Sequence, residues 1–261
     1  MPLIATWNVN SIRARLPVAI DWLKTFQPDI VLLQEIKTQK ETFPFEEIED
    51  LGYNIALVGQ KTYNGVAILA KRPIEDVLDH LPGNEDDSSA RYIEAVVDNV
   101  RVASIYVPNG KDIDTDAYHY KLQFLDRLCA HAKTLLTYGE AFILGGDYNI
   151  APKDEDVYDP ILWKDRIHCS VKERESLRKI QNLGLTDVTR ALHPISSPSG
   201  KDLYSWWNYR TRAWQSNAGL RIDLLLASPQ ALDRLEASGI DTNPRDAPKA
   251  SDHTPVWCRL V

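Results

Sequence analysis

The fold is decided by residues 29–35, which read DIVLLQE. The apolar run is short and ends in a carboxylate at Glu35, which predicts a buried strand. Upstream, Leu3–Asn8 is a second short apolar run. Between the two strands, apolar residues recur at helical spacing until Pro28 closes the segment, and they are Leu16, Ala19, Ile20, Leu23 and Phe26. The chain is therefore expected to begin as strand, helix, strand.

The same order recurs in the second half. A long amphipathic helix is marked by apolar residues at helical spacing, namely Tyr118, Leu122, Leu125, Leu128, Ala132 and Leu135. The apolar strand Ala141–Leu144 follows and leads into Asp147. Two halves with the same succession of elements predict two sheets with helices outside them, a layered α/β sandwich. Because no linker separates the halves, residues 1–261 are expected to form a single domain.

The remaining elements are shorter. Arg91–Asp98 and Arg101–Val107 indicate a hairpin that turns through Asp98 and Asn99. Apolar runs and helical spacing predict three more strands and one short helix, respectively Gly65–Ala70, Leu220–Ala227, Thr254–Leu260 and Gln230–Glu236.

The composition is that of an ordinary globular protein, with 261 residues, 44% hydrophobic and 26% charged. No apolar run approaches the roughly 18 residues needed to cross a bilayer, and the start carries no export signal. Three widely spaced cysteines favour reduced thiols in a cytoplasmic protein. The net charge of -7 argues against binding nucleic acid by electrostatics alone, although an acidic middle with more basic flanks fits a polyanion held on one face.

Acidic, amide and imidazole side chains gather where apolar strands meet loops. They are Asn8, Asn10, Glu35, Asp147, Asn149, Asp252 and His253. Oxygen-rich sets of this kind suit a hard cation such as Mg²⁺ or Mn²⁺, and such an ion beside a histidine and a carboxylate is typical of phosphate ester hydrolysis. Singly, each residue is as well explained by a turn or a solvated surface. Their joint appearance at strand ends favours an active site.

Seven segments carry a resemblance to a known family. They read WNVNSIRA (7–14), LQEIKT (33–38), NGVAIL (64–69), YVPNG (106–110), GGDYNIAP (145–152), GLRID (219–223) and SDH (251–253). In this order they resemble the exonuclease III family of apurinic/apyrimidinic endonucleases, within the endonuclease–exonuclease–phosphatase superfamily. The resemblance covers nearly the whole chain. Lys37, the Asn109-Gly110 pair and the Arg-Ile-Asp segment favour the DNA-repair branch.

The resemblance implies a DNase I-like, four-layered α/β sandwich in which two mixed β-sheets pack face to face with helices outside. Its active site would lie where strand ends of the two sheets meet. Glu35 would be the principal metal ligand, with Asn8 and Asn10 close by and Asp252 as a further ligand. The implied cofactor is Mg²⁺, for which Mn²⁺ can substitute.

The resemblance also implies roles in the hydrolytic step. Asp147 would activate or orient the attacking water, and Asn149 would hold that water or the phosphate. His253, oriented by Asp223, would donate a hydrogen bond to the charge that develops on the phosphorane. Such preorganised electrostatic stabilisation is often a large part of catalysis.

Substrate contacts follow from the same resemblance. Tyr106, a catalytic residue, and Asn109, a substrate-binding residue, would contact the scissile phosphate. Residues 205–210, which read SWWNYR, match the family's pocket for a base-free sugar together with Leu220 and Ile222. Adjacent strand residues face opposite sides, so one tryptophan is expected to face the pocket and the other the core. The resemblance implies that Trp206 is the pocket residue. Further contacts to DNA are expected from Lys37, Arg91 and Arg210.

The implied enzyme is a DNA-repair hydrolase of base excision repair. It would cut the backbone 5′ to abasic sites and trim 3′ ends as a 3′-5′ exonuclease and 3′-phosphatase. Its partner would be double-stranded DNA with abasic sites or blocked 3′ ends, bound by a monomer away from membranes. Some family members have Asp in place of Asn10 and an aromatic residue in place of Leu220, which leaves the balance of these activities open.

Two other functions compete with this one. A relative that acts on phosphoinositide or sphingomyelin head groups is disfavoured, because the chain shows no secretion signal or membrane-binding segment and carries the Lys37 and Trp206 motifs. A non-catalytic nucleic-acid-binding regulator, like the catabolite-repression control protein, should have lost acidic or histidine positions. Here those positions are all present, as Glu35, Asp147, Asp223, Asp252 and His253.

Overall fold

Strands and helices alternate along the chain. The computed structural model describes residues 2–200 and 202–261. The strands are β1 (Leu3–Asn8), β2 (Ile30–Gln34), β3 (Asn54–Val58), β4 (Val66–Ala70), β5 (Glu75–Leu78), β6 (Tyr92–Val97), β7 (Val100–Tyr106), β8 (Phe142–Asp147), β9 (Thr186–Asp187), β10 (Asp223–Ala227), β11 (Leu235–Ile240) and β12 (Val256–Leu260). The helices are α1 (Ile12–Phe26), α2 (Phe45–Glu49), α3 (Asp116–Leu136), α4 (Pro160–Trp163), α5 (Val171–Gln181), α6 (Val188–Leu192) and α7 (Pro229–Leu232). Within the described ranges, no helix combines the length and the apolarity that crossing a membrane requires.

The strands form two six-stranded sheets with the same plan. Their orders are β11-β12-β1-β2-β4-β3 and β5-β6-β7-β8-β10-β9. Each sheet has one parallel pair, β1/β2 or β7/β8, joined by a helical crossover through α1 or α3, whereas the other pairs are antiparallel. In these parallel pairs Asn8 lies beside Gln34, and Tyr106 lies beside Asp147. The repeated succession of elements predicted from the sequence is confirmed.

Three apolar clusters separate the four layers. Side chains of both sheets, among them Ile4, Leu32 and Val102, form the core between the sheets. Helix α1 covers the outer face of the first sheet through Trp22, and α3 covers that of the second sheet through Leu128. Burial of each such side chain contributes about 2 kcal/mol. The DNase I-like sandwich of two mixed sheets with outer helices is therefore confirmed.

Local chemistry sets the ends of α1 and the turn of the predicted hairpin. The Ser11 side chain caps α1 by accepting the Ala14 N–H. The helix ends at Phe26, and the next residue, Gln27, has a left-handed φ of 53° just before Pro28. The hairpin is confirmed as β6 and β7. Its two turn residues, Asp98 and Asn99, have φ of 51° and 61°, as a two-residue turn of this hand requires.

Strand β8 is longer than predicted and runs through two glycines to Asp147. A Cβ at Gly146 would lie 1.9 Å from the carbonyl oxygen of Ile105. The two parallel strands can therefore approach each other this closely only with glycine at this position. Asp147 is consequently the last residue of a fully buried strand rather than part of the loop after it.

The strand predicted at Leu220–Ala227 is shorter than expected, because β10 begins only at Asp223. Leu220 leaves the ladder and forms isolated bridges with Val157 and Trp206 instead. The apolar run at Leu220–Ala227 therefore does not reveal that its first residues pair with a different part of the chain from its last residues.

Two more predicted boundaries are corrected near the carboxyl terminus. The helix expected at Gln230–Glu236 is the single turn of α7, which Ser228 caps, and the chain becomes strand β11 at Leu235. The last strand begins at Val256, two residues later than predicted.

Candidate active site

The predicted site residues meet at the edge of the sandwich where β1, β2, β7 and β8 end. Four of them lie in loops directly after these strands and have left-handed backbone conformations. Their φ values are 45° for Asn10, 50° for Glu35, 52° for Lys37 and 52° for Asn149. Non-glycine residues in this region carry conformational strain, and such strain clusters at functional sites.

Glu35 of the first sheet and Asp147 of the second are bridged by Asn8. Its Nδ2 donates to Glu35 Oε1 and to Asp147 Oδ2, both at 2.9 Å. The Asn8 oxygen accepts the backbone N–H of Asn10 at 3.0 Å. Candidate ligand atoms of Glu35, Asp147 and His253 all lie within 4.8 Å of one another. Asn8 thus holds the two carboxylates at a fixed spacing across the gap between the sheets.

This donor set fits a hard divalent cation. Glu35 offers carboxylate oxygens on a side chain that is 17% exposed, whereas Asp147 is only 1% exposed. Burial raises the pKa of Glu35, but the Lys37 ammonium at 2.7 Å and the Asn8 amide outweigh burial and lower that pKa below its ordinary value. Glu35 is therefore ionised, and an ionised carboxylate is a ligand that Mg²⁺ prefers.

Asn10 and Asp252 belong to a second hydrogen-bond network beside the first. Lys37 Nζ donates to Asn10 Oδ1 at 2.6 Å, and Asn10 Nδ2 donates to Asp252 Oδ1 at 2.9 Å. The other Asp252 oxygen accepts the indole N–H of Trp206 at 3.1 Å. Within the described part of the chain, Asp252 stands outside the close group formed by Glu35, Asp147 and His253, and it ties that region to Trp206.

His253 is held between two carboxylates. Its Nδ1 lies 2.9 Å from Asp223 Oδ2, and its Nε2 lies 3.8 Å from Asp147 Oδ2. Asp223 is itself fixed by the Ser205 hydroxyl, which donates at 2.6 Å. Burial lowers the pKa of His253, but Asp223 and Asp147 outweigh burial and raise that pKa above its ordinary value. The imidazole is therefore cationic and can donate from Nε2 to an anionic substrate.

Asp147 and Asn149 form a tight turn at the end of β8. The Asn149 backbone N–H donates to Asp147 Oδ1 at 2.9 Å, and its side-chain amide donates to Asp147 Oδ2 at 3.2 Å. Asn109 donates in turn to Asn149 Oδ1 at 3.3 Å. Burial raises the pKa of Asp147 well above its ordinary value, and the opposing charge of His253 offsets this only in part. A carboxylate with a raised pKa is suited to accept a proton near neutral pH.

Tyr106 ends β7 and is 9% exposed. Burial raises the pKa of its phenol, as do the nearby carboxylates of Glu35 and Asp147. The hydroxyl therefore stays protonated and remains a donor. The guanidinium of Arg91 lies 4.7 Å from the centre of the Tyr106 ring, a cation–π contact that positions one predicted DNA contact beside another.

The two adjacent tryptophans differ in burial. Trp207 is 1% exposed and packs edge-on against Trp214 with ring centroids 4.7 Å apart. Trp206 is half-buried on the site side, with its ring centroid 6.4 Å from that of His253.

The predicted sugar pocket is tightly packed. Leu220 and Ile222 are 0% and 1% exposed, behind Trp206 in one apolar cluster. Two further rings adjoin Trp206, with centroids at 6.3 Å for Trp163 and 6.2 Å for His168. Little of the apolar surface of Leu220 and Ile222 is open to a ligand in this arrangement.

The other predicted DNA contacts lie nearer the surface. Asn109 and Arg210 are exposed, and Lys37 and Arg91 are half-buried. Lys37 is engaged with Glu35 and Asn10, and Arg91 donates to the Tyr106 carbonyl at 3.4 Å. Lys37, Asn109 and Arg91 thus contact site residues directly, through Glu35, Asn149 and Tyr106 respectively.

Sequence reasoning placed Ser205 and Tyr209 within the pocket segment 205–210, but it did not predict the contacts by which they and Lys121 build the site. Ser205 orients Asp223, and the Tyr209 hydroxyl accepts from Arg15 at 2.9 Å and donates to the Ala250 carbonyl at 2.8 Å. Lys121 donates to the backbone carbonyls of two site loops. These partners stand far apart in sequence, so no local spacing could have identified them.

Comparisons with known proteins agree with this geometry. The sequence model of the endonuclease/exonuclease/phosphatase family matches residues 5–253. Exodeoxyribonuclease III of Haemophilus influenzae is 31% identical over 269 residues, which span 98% of this chain and 98% of that protein. Exodeoxyribonuclease of Bacillus subtilis is 29% identical, across 97% of each chain.

Solved structures extend the likeness. A variant of the 3′ phosphatase NExo from Neisseria, bound to a product DNA hairpin, has a TM-score of 0.96 and 38% identity over 100% of both chains. An AP endonuclease from Archaeoglobus fulgidus has a TM-score of 0.93 and 36% identity over 100% of this chain and 99% of that one. The chain therefore belongs to the endonuclease/exonuclease/phosphatase family, and within it is a nuclease of the exonuclease III group.

Proposed function

We propose that this nuclease is a DNA-repair phosphoesterase that hydrolyses phosphate esters at damaged sites in double-stranded DNA with the help of Mg²⁺. One observation carries the proposal. An ionised carboxylate at Glu35, a base at Asp147 and a cationic donor at His253 converge within 4.8 Å, where the two sheets meet. This is the set of groups that attack of water on a phosphate ester needs.

Glu35 would hold the cation, which when bound neutralises charge on the phosphate as a Lewis acid. Asp147 takes a proton from the attacking water, since its raised pKa suits a base near neutral pH. His253 donates from Nε2 to a phosphate oxygen on which charge increases, and Asp223 keeps the imidazole oriented. The protonated Tyr106 hydroxyl adds a further donor.

Asn109 would hold the phosphate from a second side and Asn149 would orient Asn109, because the Asn149 amide nitrogen already donates to Asp147 and to the Val107 carbonyl. Their amides contact each other at 3.3 Å, and Asn149 is hydrogen-bonded to Asp147. A phosphate placed between the Asn109 amide and His253 would present its phosphorus to a water held by Asp147. Such placement converts binding into rate, because correct orientation of the reacting atoms lowers the barrier.

We infer that blocked 3′ ends are the preferred substrate. A terminal phosphate or nucleotide needs the phosphate site but little of the sugar pocket, which Trp206, Leu220 and Ile222 occupy tightly. The relative with a TM-score of 0.96 is described as a 3′ phosphatase, and a second Neisseria structure with a TM-score of 0.94 is described as a 3′-5′ exonuclease. Both descriptions support removal of groups from 3′ ends.

Cleavage of the backbone 5′ to abasic sites is the second candidate activity. It is favoured by the archaeal relative described as an AP endonuclease, which is 36% identical over the whole chain. Trp206 stands beside His253, where a base-free sugar could pack against the indole. Flipping out such a sugar costs less than flipping out an intact nucleotide, so modest opening of this pocket would admit it.

We further propose that residues 1–261 act as one domain and as a monomer in the cytoplasm. Glu35 belongs to the first sheet and Asp147 to the second, so neither half would form the site alone. The three cysteines are free, in keeping with a reducing compartment.

The test uses three duplexes and one enzyme preparation, each assayed with Mg²⁺, with Mn²⁺ and with a chelator. The duplexes carry a 3′-phosphate at a nick, an undamaged recessed 3′ end, or one internal abasic site. We expect metal-dependent hydrolysis of the first to be fastest and the third to be slower. Faster cleavage at the abasic site would reverse the preference, and no hydrolysis of any duplex would reject the function.

A further inference from the structure

Behind Asn109 and Asn149 lies a fully buried ion pair between Lys121 of α3 and Glu173 of α5. Both side chains are 0% exposed, and Lys121 Nζ lies 2.5 Å from Glu173 Oε1. The other two Nζ donors reach backbone carbonyls, that of Asn149 at 2.7 Å and that of Asn109 at 3.2 Å. The three donors of one ammonium therefore join two site loops and an outer helix.

Glu173 is held as completely as its partner. Oε1 also accepts the His168 backbone N–H at 3.0 Å, and Oε2 accepts both the backbone N–H of Ser170 at 3.0 Å and its hydroxyl at 2.6 Å. His168 Nδ1 lies 2.7 Å from the Asn149 carbonyl oxygen. The Asn149 carbonyl is thus fixed from two sides, by Lys121 and by His168.

The loop at Asn109 is fitted to the stem of Lys121. Gly110, with φ of 89°, leaves room that a Cβ would fill, since that atom would lie 2.8 Å from Ile167 Cδ1 and 3.1 Å from Lys121 Cδ. The lysine stem therefore packs directly under the turn that presents the Asn109 amide.

Stability alone does not account for this pair. Taking two charges out of water is costly, and replacing a buried ion pair by uncharged residues of similar size is often neutral or stabilising. A methionine at 121 would fill the same space but could not hold two carbonyl groups. What the charged pair supplies is the fixed direction of Asn109 and Asn149, whose amides meet at 3.3 Å.

We propose that Lys121 and Glu173 are positioning residues that hold Asn109 and Asn149 in the geometry needed for hydrolysis of a phosphate ester. The inference rests on the proposed function, because it concerns the reaction at the same site. Neither residue touches the substrate. Both act through the backbone of the two asparagine loops, so their loss should lower kcat more than it raises KM.

The main test separates positioning from stability. Lys121→Met leaves Glu173 buried and unpaired, so it should lower the urea midpoint and the rate together. The double variant Lys121→Met/Glu173→Gln has no unpaired charge and should regain part of the urea midpoint. Recovery should be incomplete, because one of the two oxygens that accept a backbone N–H becomes an amide nitrogen. Its kcat on a 3′-phosphate duplex should still be roughly ten- to a hundredfold below wild type, as a misplaced group costs, with KM within about twofold. Recovery of kcat together with the urea midpoint would overturn the inference.

A matched control is the buried pair of Arg101 and Glu94, joined at 3.0 Å near the start of β7. Arg101 also pairs with the more exposed Asp76 and Glu140. Arg101→Met/Glu94→Gln removes this ion-pair network at the end of β7 opposite to the active site, and it should leave kcat unchanged.

A second measurement is a mutant cycle with Asn149→Ala. If Lys121 acts through Asn149, Lys121→Met should cost little further rate in that background, whereas additive losses would contradict the inference.

A readout without turnover separates this inference from the proposed function. The side-chain amide NMR signals of Asn109 and Asn149 should shift or broaden in Lys121→Met/Glu173→Gln and stay in place in the control. Unchanged signals would reject the positioning role even in an active enzyme. Shifted signals in a protein that hydrolyses no phosphate ester would support positioning and reject the function.

Discussion

The imidazole of His253 lies 2.9 Å from a carboxylate oxygen of Asp223, and that same oxygen accepts the Ser205 hydroxyl at 2.6 Å. The relationship fixes which ring nitrogen faces the carboxylate. Nδ1 is committed to Asp223, so Nε2 is directed toward Asp147 and the space where a phosphate would bind. The orientation of the donor is therefore set by residues that do not themselves face the substrate.

Asp223→Asn is expected to lower kcat by about a hundredfold or more. The asparagine side chain lacks the negative charge that keeps the imidazole cationic, and it no longer fixes the orientation of the ring. Ser205→Ala should cost less, about tenfold, because Asp223 keeps its charge and loses only one donor. Single-turnover rates on a 3′-phosphate duplex measure both effects. A larger loss for Ser205→Ala than for Asp223→Asn would contradict this order.

Metal binding and water activation can be separated with two substitutions. Glu35→Gln keeps an oxygen ligand but loses its charge, so its rate should recover partly at high Mg²⁺ or with Mn²⁺, which binds such sites more tightly. Asp147→Asn keeps the shape but cannot take a proton, and its rate should stay roughly a hundredfold or more below wild type at any metal concentration. A metal titration of both variants on one duplex distinguishes the metal ligand from the residue that activates water. Recovery of Asp147→Asn alone would show that the two roles are reversed.

The sequence predicted the central strands but not the edges of the sheets. The strands it left out are β3, β5, β9 and β11, and these are the four edge strands. Strands β5, β9 and β11 lack the continuous apolar runs that marked β2 and β8. Strand β3 does carry such a run at residues 55–58, which the sequence-based prediction does not include. Strand β5 is mostly exposed and β9 has two residues. A strand is predicted from a run of apolar residues, and exposed or very short strands offer too few of them.

The sequence likewise predicted only part of the candidate site. Residues such as Glu35 and Asp147 were identified because they end apolar strands, and the family resemblance implied that strand ends of the two sheets meet. The hydrogen bonds that orient them were not. Ser205 and Asp223 are 18 positions apart, and Lys121 and Glu173 are 52 apart. Only the packed sandwich brings such partners together.

Acid stability should depend on Asp156, which is fully buried between Arg221 and Arg190, at 2.7 Å and 2.5 Å. Burial raises the pKa of Asp156, but the two guanidinium groups outweigh burial and hold that pKa below its ordinary value. Its stabilising contribution is therefore complete above the unfolded pKa of about 3.9 and is lost as pH falls through the lower folded pKa.

Asp156→Asn should consequently lower the free energy of unfolding at pH 7 by about 3 kcal/mol, since Arg190 loses its carboxylate partner and the buried Arg221 keeps only Asp187. The deficit relative to wild type should begin to shrink below about pH 4, where the unfolded carboxyl takes up a proton, and should be smallest below the lower folded pKa. Urea melts at both pH values measure this. The control is Asp154→Asn, which breaks an exposed pair with Arg174 and should cost less than about 1 kcal/mol. A pH-independent deficit would contradict the prediction.

DNA binding should depend only moderately on salt. The net charge of -7 means that phosphates are engaged by a few residues on one face, among them Lys37, Arg91 and Arg210. The slope of log affinity against log salt should therefore be shallower than for a protein that contacts ten phosphates. Anisotropy titrations with Asp147→Asn, which should bind without cutting, give this slope. A slope near that of a ten-phosphate binder would mean a larger basic footprint than these residues supply.

Trp206 should matter more for an internal abasic site than for a terminal phosphate. Its indole N–H is bonded to Asp252 and its ring lies beside His253, so a base-free sugar in a continuous strand would pack against it. Removal of a 3′-phosphate needs the phosphate site but less of this surface. Trp206→Ala should therefore lower kcat/KM for abasic cleavage by a larger factor than for 3′-phosphate removal. Trp206→Phe, which keeps a ring but loses the N–H donor, should fall between wild type and Trp206→Ala.

Trp207→Ala is the contrasting case, because it empties a core position and should reduce stability by about 3–5 kcal/mol while affecting both substrates alike. Equal losses on the two substrates in Trp206→Ala would place Trp206 with Trp207 as a packing residue and remove it from the sugar pocket.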